Sequence, residues 1–189
     1  MSNEKIIAIS GPSGTGKTTI VKTLLKYFPV FAFSISATTR SMRTGETDGK
    51  DYYFLTVAGF KKKIENNELL EYQEVYPDLF YGTLKSDISR MWKKSRIPLL
   101  DIDVFGALNV KKEFGEKSLI IFIHPGSIET LKVRLTKRGS ESDESFNTRI
   151  AKAETELNEA GKFDEIVYND KNPDDAINEV AQIVKEFIS

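Results

Sequence analysis

The chain has 189 residues, 40% of them hydrophobic and 29% charged, with 27 basic against 28 acidic side chains and a net charge of −1. That size suits one compact domain with its own core, and the balanced charge excludes the broad basic field on which general nucleic-acid binding depends. The absence of cysteine rules out disulfides, thiol nucleophiles, thiolate metal sites and iron–sulfur clusters, and the single histidine, His124, argues against a histidine triad or a multi-histidine metal site. Apolar runs such as 119–123 fall far short of the ~20 residues that a membrane-spanning helix needs. The N-terminus carries Glu4 and only a brief apolar run, so no export signal is expected and a cytoplasmic protein is.

In chain order, residues 5–10 read as a short strand buried on both faces, and 11–16 as a glycine-bearing turn. Residues 17–28 show helical spacing, with Ile20, Val21, Leu24, Leu25 and Phe28 on one side, and Pro29 stops them. Phe31, Phe33 and Ile35 alternate with small residues, which predicts a strand. Residues 37 to about 95 have a different texture. A polar, charged stretch gives way to tyrosines and phenylalanines, with strand-like pieces at 52–55 and 69–75, so a mixed insertion is expected. The apolar runs 97–103 and 119–123 suit parallel strands, with a helix between them at 106–114. Ser127 is a candidate N-cap for a helix carrying Ile128, Leu131 and Leu135. A charged helix with a thin apolar stripe of Ile150, Ala153 and Leu157 runs to Ala160 and ends at Gly161. A strand at 166–168 and a last helix opened by Asn172-Pro173 complete the chain. Alternating strands and helices give an α/β fold with a parallel sheet.

Gly11-Pro12-Ser13-Gly14-Thr15-Gly16-Lys17-Thr18 matches G-x-x-x-x-G-K-[ST] at every fixed position, and it follows a strand and opens a helix, the context that the motif requires. Such a turn points successive backbone N–H groups at a phosphate, to which the helix N-terminus adds its positive end. Lys17 reaches the outer phosphate oxygens, and the Thr18 hydroxyl suits Mg²⁺. A metal of that kind also wants a carboxylate at a neighbouring strand end. Asp101 and Asp103 supply two, which strand alternation would put on one face.

Two basic clusters stand out. Arg40 and Arg43 sit in a hydroxyl-rich loop, with Tyr52, Tyr53 and Tyr81 further on, a set suited to a second phosphate. Lys132, Arg134, Lys137 and Arg138 crowd one helix, with Arg134 and Arg138 on one face, and Arg149 begins the next helix's stripe. Arginines facing a moving phosphoryl group are expected of kinases, although either cluster could equally be a solvated surface.

Taken together these segments resemble the guanylate kinase family over essentially the whole chain. The likeness is carried by 7–17, by Ser36-Ala37-Thr38-Thr39-Arg40 with Arg43-Thr44-Gly45-Glu46, by Gly49-Lys50-Asp51-Tyr52-Tyr53-Phe54, by 71–74 and by Phe80-Tyr81-Gly82-Thr83. Leu100-Asp101-Ile102-Asp103, Arg138-Gly139 and Asn169-Asp170 complete it. The resemblance implies a P-loop nucleoside monophosphate kinase fold: a parallel five-stranded core sheet flanked by helices (about 1–36, 96–138 and 161–189), a mixed α/β GMP-binding insertion (about 37–95) and a small helical lid (about 139–160). It implies transfer of the γ-phosphoryl group of ATP to GMP in purine nucleotide metabolism and GMP recycling. The implied partners are these nucleotides, with Mg²⁺ as cofactor and no nucleic-acid polymer or membrane, for a monomer or small homo-oligomer.

By the same resemblance, Arg40, Arg43, Tyr52 and Tyr81 would hold the GMP phosphate, and Ser36, Glu71, Thr83 and Asp103 would read guanine. ATP would lie on residues 11–18 with Arg134 and Asn169. Lys17, Arg40, Arg138 and Arg149 would act in catalysis, and Thr18 with Asp101, through water, would hold the metal. The chemistry agrees. Guanine presents an N1–H and an exocyclic NH₂ on one edge, a donor pair that fits one carboxylate, whereas adenine has no such pair. Phe105 stands where the family often has Gln. Two other readings compete: a non-catalytic guanylate kinase-like interaction module, which typically lacks the phosphate loop and lid arginines present here, and a ribose-phosphate kinase, which has no use for a guanine reader.

Overall fold

The computed structural model describes residues 4–137 and 143–189. The chain opens with β1 (Ile6–Ser10), α1 (Lys17–Tyr27) and β2 (Phe31–Phe33). The middle section holds β3 (Ala37–Thr38), β4 (Tyr53–Phe54), α2 (Val57–Glu65), β5 (Leu69–Tyr76), β6 (Leu79–Leu84) and α3 (Lys85–Lys93). It continues with β7 (Ile97–Asp101), α4 (Val104–Phe114), β8 (Ser118–His124), α5 (Ile128–Lys137), α6 (Asp143–Asn158), β9 (Glu165–Tyr168) and α7 (Pro173–Ile188).

β1, β2, β7, β8 and β9 form one sheet in the order β2-β7-β1-β8-β9, with every pairing parallel. Alternate residues of these strands feed two apolar layers. Ile7, Ile9, Leu99 and Ile121 pack under α1 and α7, while Ile6, Ala8, Leu100, Ile120 and Phe122 pack under α3 and α4. Strands covered on both faces explain the continuous apolar runs, and the expected parallel core is what forms. The order also places the C-terminal ends of β1 and β7 side by side, so the loops after them share one crevice.

The insertion builds a second sheet in the order β4-β3-β6-β5. Its own core is Ala37, Phe60, Leu69 and Phe80, with the Phe60 and Phe80 rings stacked at 5.2 Å. The β5–β6 hairpin turns at Pro77-Asp78, where Asp78 has φ 61. Asp87 of α3, a buried carboxylate, ties this sheet to the core. It accepts from the Ile35 N–H at 3.4 Å, where the chain leaves β2, and from the Tyr53 hydroxyl at 3.2 Å, and it pairs with Arg90.

Several boundaries differ from the sequence reading. β2 stops at Phe33, because the Ile35 N–H turns to Asp87 instead of the ladder. Asp103 is not a strand residue. β7 ends at Asp101, and Asp103 caps α4 by accepting from the Gly106 N–H at 2.7 Å, so the helix begins at Val104 rather than at 106. The charged helix ends at Asn158, and 160–162 tightens into a 3₁₀ turn. In the insertion, α2, α3, β3 and β6 were not separately legible, and the strand-like piece at 52–55 shortens to Tyr53–Phe54. Ser127 and Asn172 cap α5 and α7 as expected.

Phe60→Ala would empty the centre of the small sheet's core, at a cost of about 3–5 kcal/mol. A thermal melt is expected to drop by roughly 10 °C for a chain of this size, and an unchanged melting temperature would deny the small sheet its core.

Candidate functional site

The turn after β1 folds as an anion cradle. Gly16 adopts φ 94, a left-handed conformation that favours glycine, and a Cβ there would lie 2.5 Å from Asn169 Nδ2. Asn169 donates to the Thr15 carbonyl at 2.8 Å, which fixes the back of the loop. Among the described residues no side chain caps the N-terminus of α1, so its first N–H groups face the loop's interior. The Lys17 ammonium lies over the loop, donating to the Gly11 carbonyl at 2.6 Å and the Pro12 carbonyl at 3.0 Å. The Thr18 hydroxyl donates to Asp101 Oδ2 at 3.0 Å.

On one flank of the loop a groove of about 340 Å³ is lined by Gly14, Gly16, Arg134, Asn169 and Pro173. Asn169 Oδ1 is buried there with no hydrogen-bond partner among the described residues.

On the other flank a cavity of about 260 Å³ runs from Gly11 and Lys17 to the inner face of the second sheet. Two buried carboxylates stand on its wall, Glu71 at 6% exposed and Glu156 at 4%, and Glu71 is the one carried by the second sheet. It sits directly opposite Thr83 in the β5–β6 ladder and accepts the Thr83 hydroxyl at 2.6 Å. A register shift between Leu69 and Glu71 marks a bulge immediately before it, a device that re-aims a side chain without breaking the hairpin. Its other oxygen lies over Gly106, where a Cβ would stand 2.6 Å from Oε2. Burial pushes the Glu71 carboxyl up to about 7, with the charge of nearby Asp103 adding to the rise and the Thr83 hydrogen bond opposing it.

The mouth of this cavity is aromatic and basic. The Tyr52 and Tyr81 rings meet edge to face at 5.9 Å. The Arg40 guanidinium lies over Tyr52 at 5.2 Å and Phe54 at 5.6 Å, and it forms a two-pronged pair with Glu46 at 2.9 and 2.7 Å. That hydrogen bond holds Glu46 below the usual carboxylate range and raises Arg40 further.

A family profile described as guanylate kinase matches residues 3–187. The chain belongs to the guanylate kinase family. It is 46% identical to a guanylate kinase of Bacteroides thetaiotaomicron across 98% of this chain and 90% of that one. It is 45% identical to a guanylate kinase of Salinibacter ruber across the full length of both. A crystal structure of guanylate kinase from Anaplasma phagocytophilum superposes with a TM-score of 0.77 at 28% identity, covering 98% of this chain and 87% of that one.

Against the residue set that the guanylate kinase resemblance implied, the structure brings Ser36, Tyr52, Glu71, Tyr81, Asp101 and Asp103 to the cavity wall with Lys17, and Thr83 stands behind Glu71. Arg134 and Asn169 meet at the other groove. Arg40 reaches the mouth already paired. The Arg43 side chain is exposed, and only its backbone N–H joins the cluster, donating to Glu46 at 2.7 Å. Arg149 lies half-buried on α6, and Arg138 falls outside the described residues. Asp101 and Asp103 both line the cavity, but not as alternate residues of one strand, since Asp103 is spent on capping α4.

Sequence reasoning missed four contributors: Glu46, Gly106, Lys152 and Glu156. For Glu156 a signal existed. It stands three residues after Ala153 and one before Leu157, on the stripe that α6 buries.

The Glu71 shift links folding to pH. A carboxyl that titrates near 7 when folded and near 4.5 when unfolded binds its proton more tightly in the native state, so stability falls as pH rises between those values. The loss amounts to something on the order of 3 kcal/mol above pH 7. Glu71→Gln is expected to leave stability near pH 4.5 unchanged and to raise the melting temperature at pH 8 in the ligand-free protein. Parallel melts of variant and parent across pH 4.5–8 would refute the shift if the two curves ran parallel.

Proposed function

We propose that the chain transfers the γ-phosphoryl group of ATP to GMP, giving ADP and GDP, with the acceptor in the cavity between the phosphate loop and the second sheet. The observation that carries this reading is Glu71: a buried carboxylate, aimed by a bulge, backed by Thr83 and lining the cavity that opens on Lys17. Guanine offers two adjacent donors to such a group, and a buried carboxylate left unpaired opposite adenine would penalise the wrong acceptor.

The donor nucleotide lies on residues 11–18. Its adenine enters the groove of Arg134 and Asn169, where the exocyclic amine would satisfy the orphaned Asn169 oxygen. Lys17 then exchanges the carbonyls of Gly11 and Pro12 for phosphate oxygens. Thr18 and Asp101, one hydroxyl and one carboxylate in contact, fit Mg²⁺, which takes few protein ligands and keeps waters and phosphates for the rest. When bound, the ion would neutralise charge on the phosphate chain.

Tyr52, Tyr81 and Arg40 receive the acceptor phosphate, with Arg43 drawn in from solvent. That phosphate is mostly ionised near neutral pH, its second pKa being about 6, so its oxygen attacks the γ-phosphorus as the bond to the β-bridging oxygen breaks. No general base is required, and catalysis reduces to positioning and charge neutralisation by Lys17, Arg40, Arg149 and Arg138. We assign residues of about 37–95 to the acceptor region and about 139–160 to a lid that excludes water. We place the reaction in the cytoplasm.

The deciding experiment is an ADP-release assay with ATP and Mg²⁺ against GMP, AMP, UMP and CMP, in which only GMP is expected to give substantial turnover. Equal use of AMP would remove the guanine role from Glu71. The KM for GMP is expected to fall as pH rises through about 7, as the Glu71 carboxyl ionises. Lys17→Ala is expected to fold normally and to lose at least roughly 10²–10³ in kcat, and near-normal turnover would refute the phosphate-loop assignment.

A further inference from the structure

One buried charge in the acceptor cavity is not used by this mechanism. Glu156, on α6, is 4% exposed and lines the same cavity as Glu71, Asp103 and Lys17. Among the described residues it pairs with Lys152, an i,i+4 neighbour at 3.6 Å, and both side chains line the cavity. Packing on both sides fixes its place. Ile150 and Ala153 join Leu131 and Leu135 of α5, while Leu157, Ala160 and Phe163 join the core under α4.

A carboxylate facing a cavity meant for an anionic ligand must meet donors, because it would repel the phosphate. The donors of a purine monophosphate are few. The guanine edge is taken by Glu71, and the phosphate carries none when ionised. The sugar hydroxyls remain, and two vicinal hydroxyls suit one carboxylate.

Resting on the acceptor reading given above, we propose that Glu156 reads the ribose of the acceptor, so that the enzyme prefers a ribonucleotide over its 2′-deoxy counterpart. Burial holds the Glu156 carboxyl above its ordinary range, while Lys152 and then Lys17 act to keep it charged. Hydroxyls donated to it would supply the solvation that the cavity withholds.

The test compares kcat/KM for GMP and 2′-deoxy-GMP in the full chain with ATP and Mg²⁺. Wild type is expected to favour GMP by roughly 10-fold or more, the worth of one hydrogen bond to a charged acceptor. Glu156→Gln keeps the side chain's volume, and it is expected to lower the GMP value several-fold more than the deoxy value, which keeps only the 3′-hydroxyl contact, so that the preference shrinks toward parity. An equal loss on both substrates would mark Glu156 as a merely structural charge and overturn the proposal. A wild type that uses both alike would overturn it without recourse to any variant. Wild type inactive on both nucleotides would bring down the acceptor reading itself, a result distinct from either of these.

Discussion

Two polyanions must be brought end to end, and the whole site is organised around the repulsion between them. At contact distance in a partly dry cleft, each pair of unit charges costs several kcal/mol. The fold answers with fixed positive potential: the uncapped N-terminus of α1, the loop amides and the Lys17 ammonium on one side, and Arg40 on its tyrosine bed on the other. The parallel sheet makes this convergence available, because the crevice beyond adjacent strand ends is where β1 delivers the loop and β7 delivers Asp101.

Against that positive field, the cavity wall carries Glu71, Asp101, Asp103 and Glu156, two of them buried. Four carboxylates in a phosphate-binding cleft look contradictory until Asp101 is set aside for the metal and the acceptor is divided into parts. In the acceptor reading proposed above, negative charge placed away from the phosphate path would select for the neutral, donor-rich portion of the ligand. Specificity and catalysis would then use opposite signs of charge within one continuous space.

Much of this arrangement was legible in the residues, and the reason is local. The phosphate loop is a contiguous motif whose glycines, lysine and threonine act through their own backbone, so its reading needed no tertiary information. The core strands announced themselves through unbroken apolar runs. What stayed hidden depended on contacts between distant segments. Asp103 looked like a strand carboxylate because its capping partner, the Gly106 N–H, is visible only once α4 is placed. Gly106 itself matters because Glu71, thirty-five positions earlier, needs the space. The short strands and two helices of the insertion carry weak periodicity, since its core rests on a handful of residues. Glu156 stands on the stripe that α6 buries, which the sequence does mark, but nothing in the linear sequence says that this part of the stripe meets a cavity rather than ordinary core.

The two-pronged pair between Arg40 and Glu46 gives the protein a built-in counterion. A guanidinium left open at the mouth of a cleft would be a sink for any small anion in the milieu. Held by an internal carboxylate, it is already bonded at two points, so under the proposed reading a competitor must offer two acceptor oxygens and more charge than one carboxylate, which a phosphate dianion does and chloride does not. Under the proposed reaction, phosphate capture would displace Glu46 without removing it, so the freed carboxylate would stay beside the loop as a tethered competitor, ready to re-form the pair and help expel the ligand once the chemistry is done.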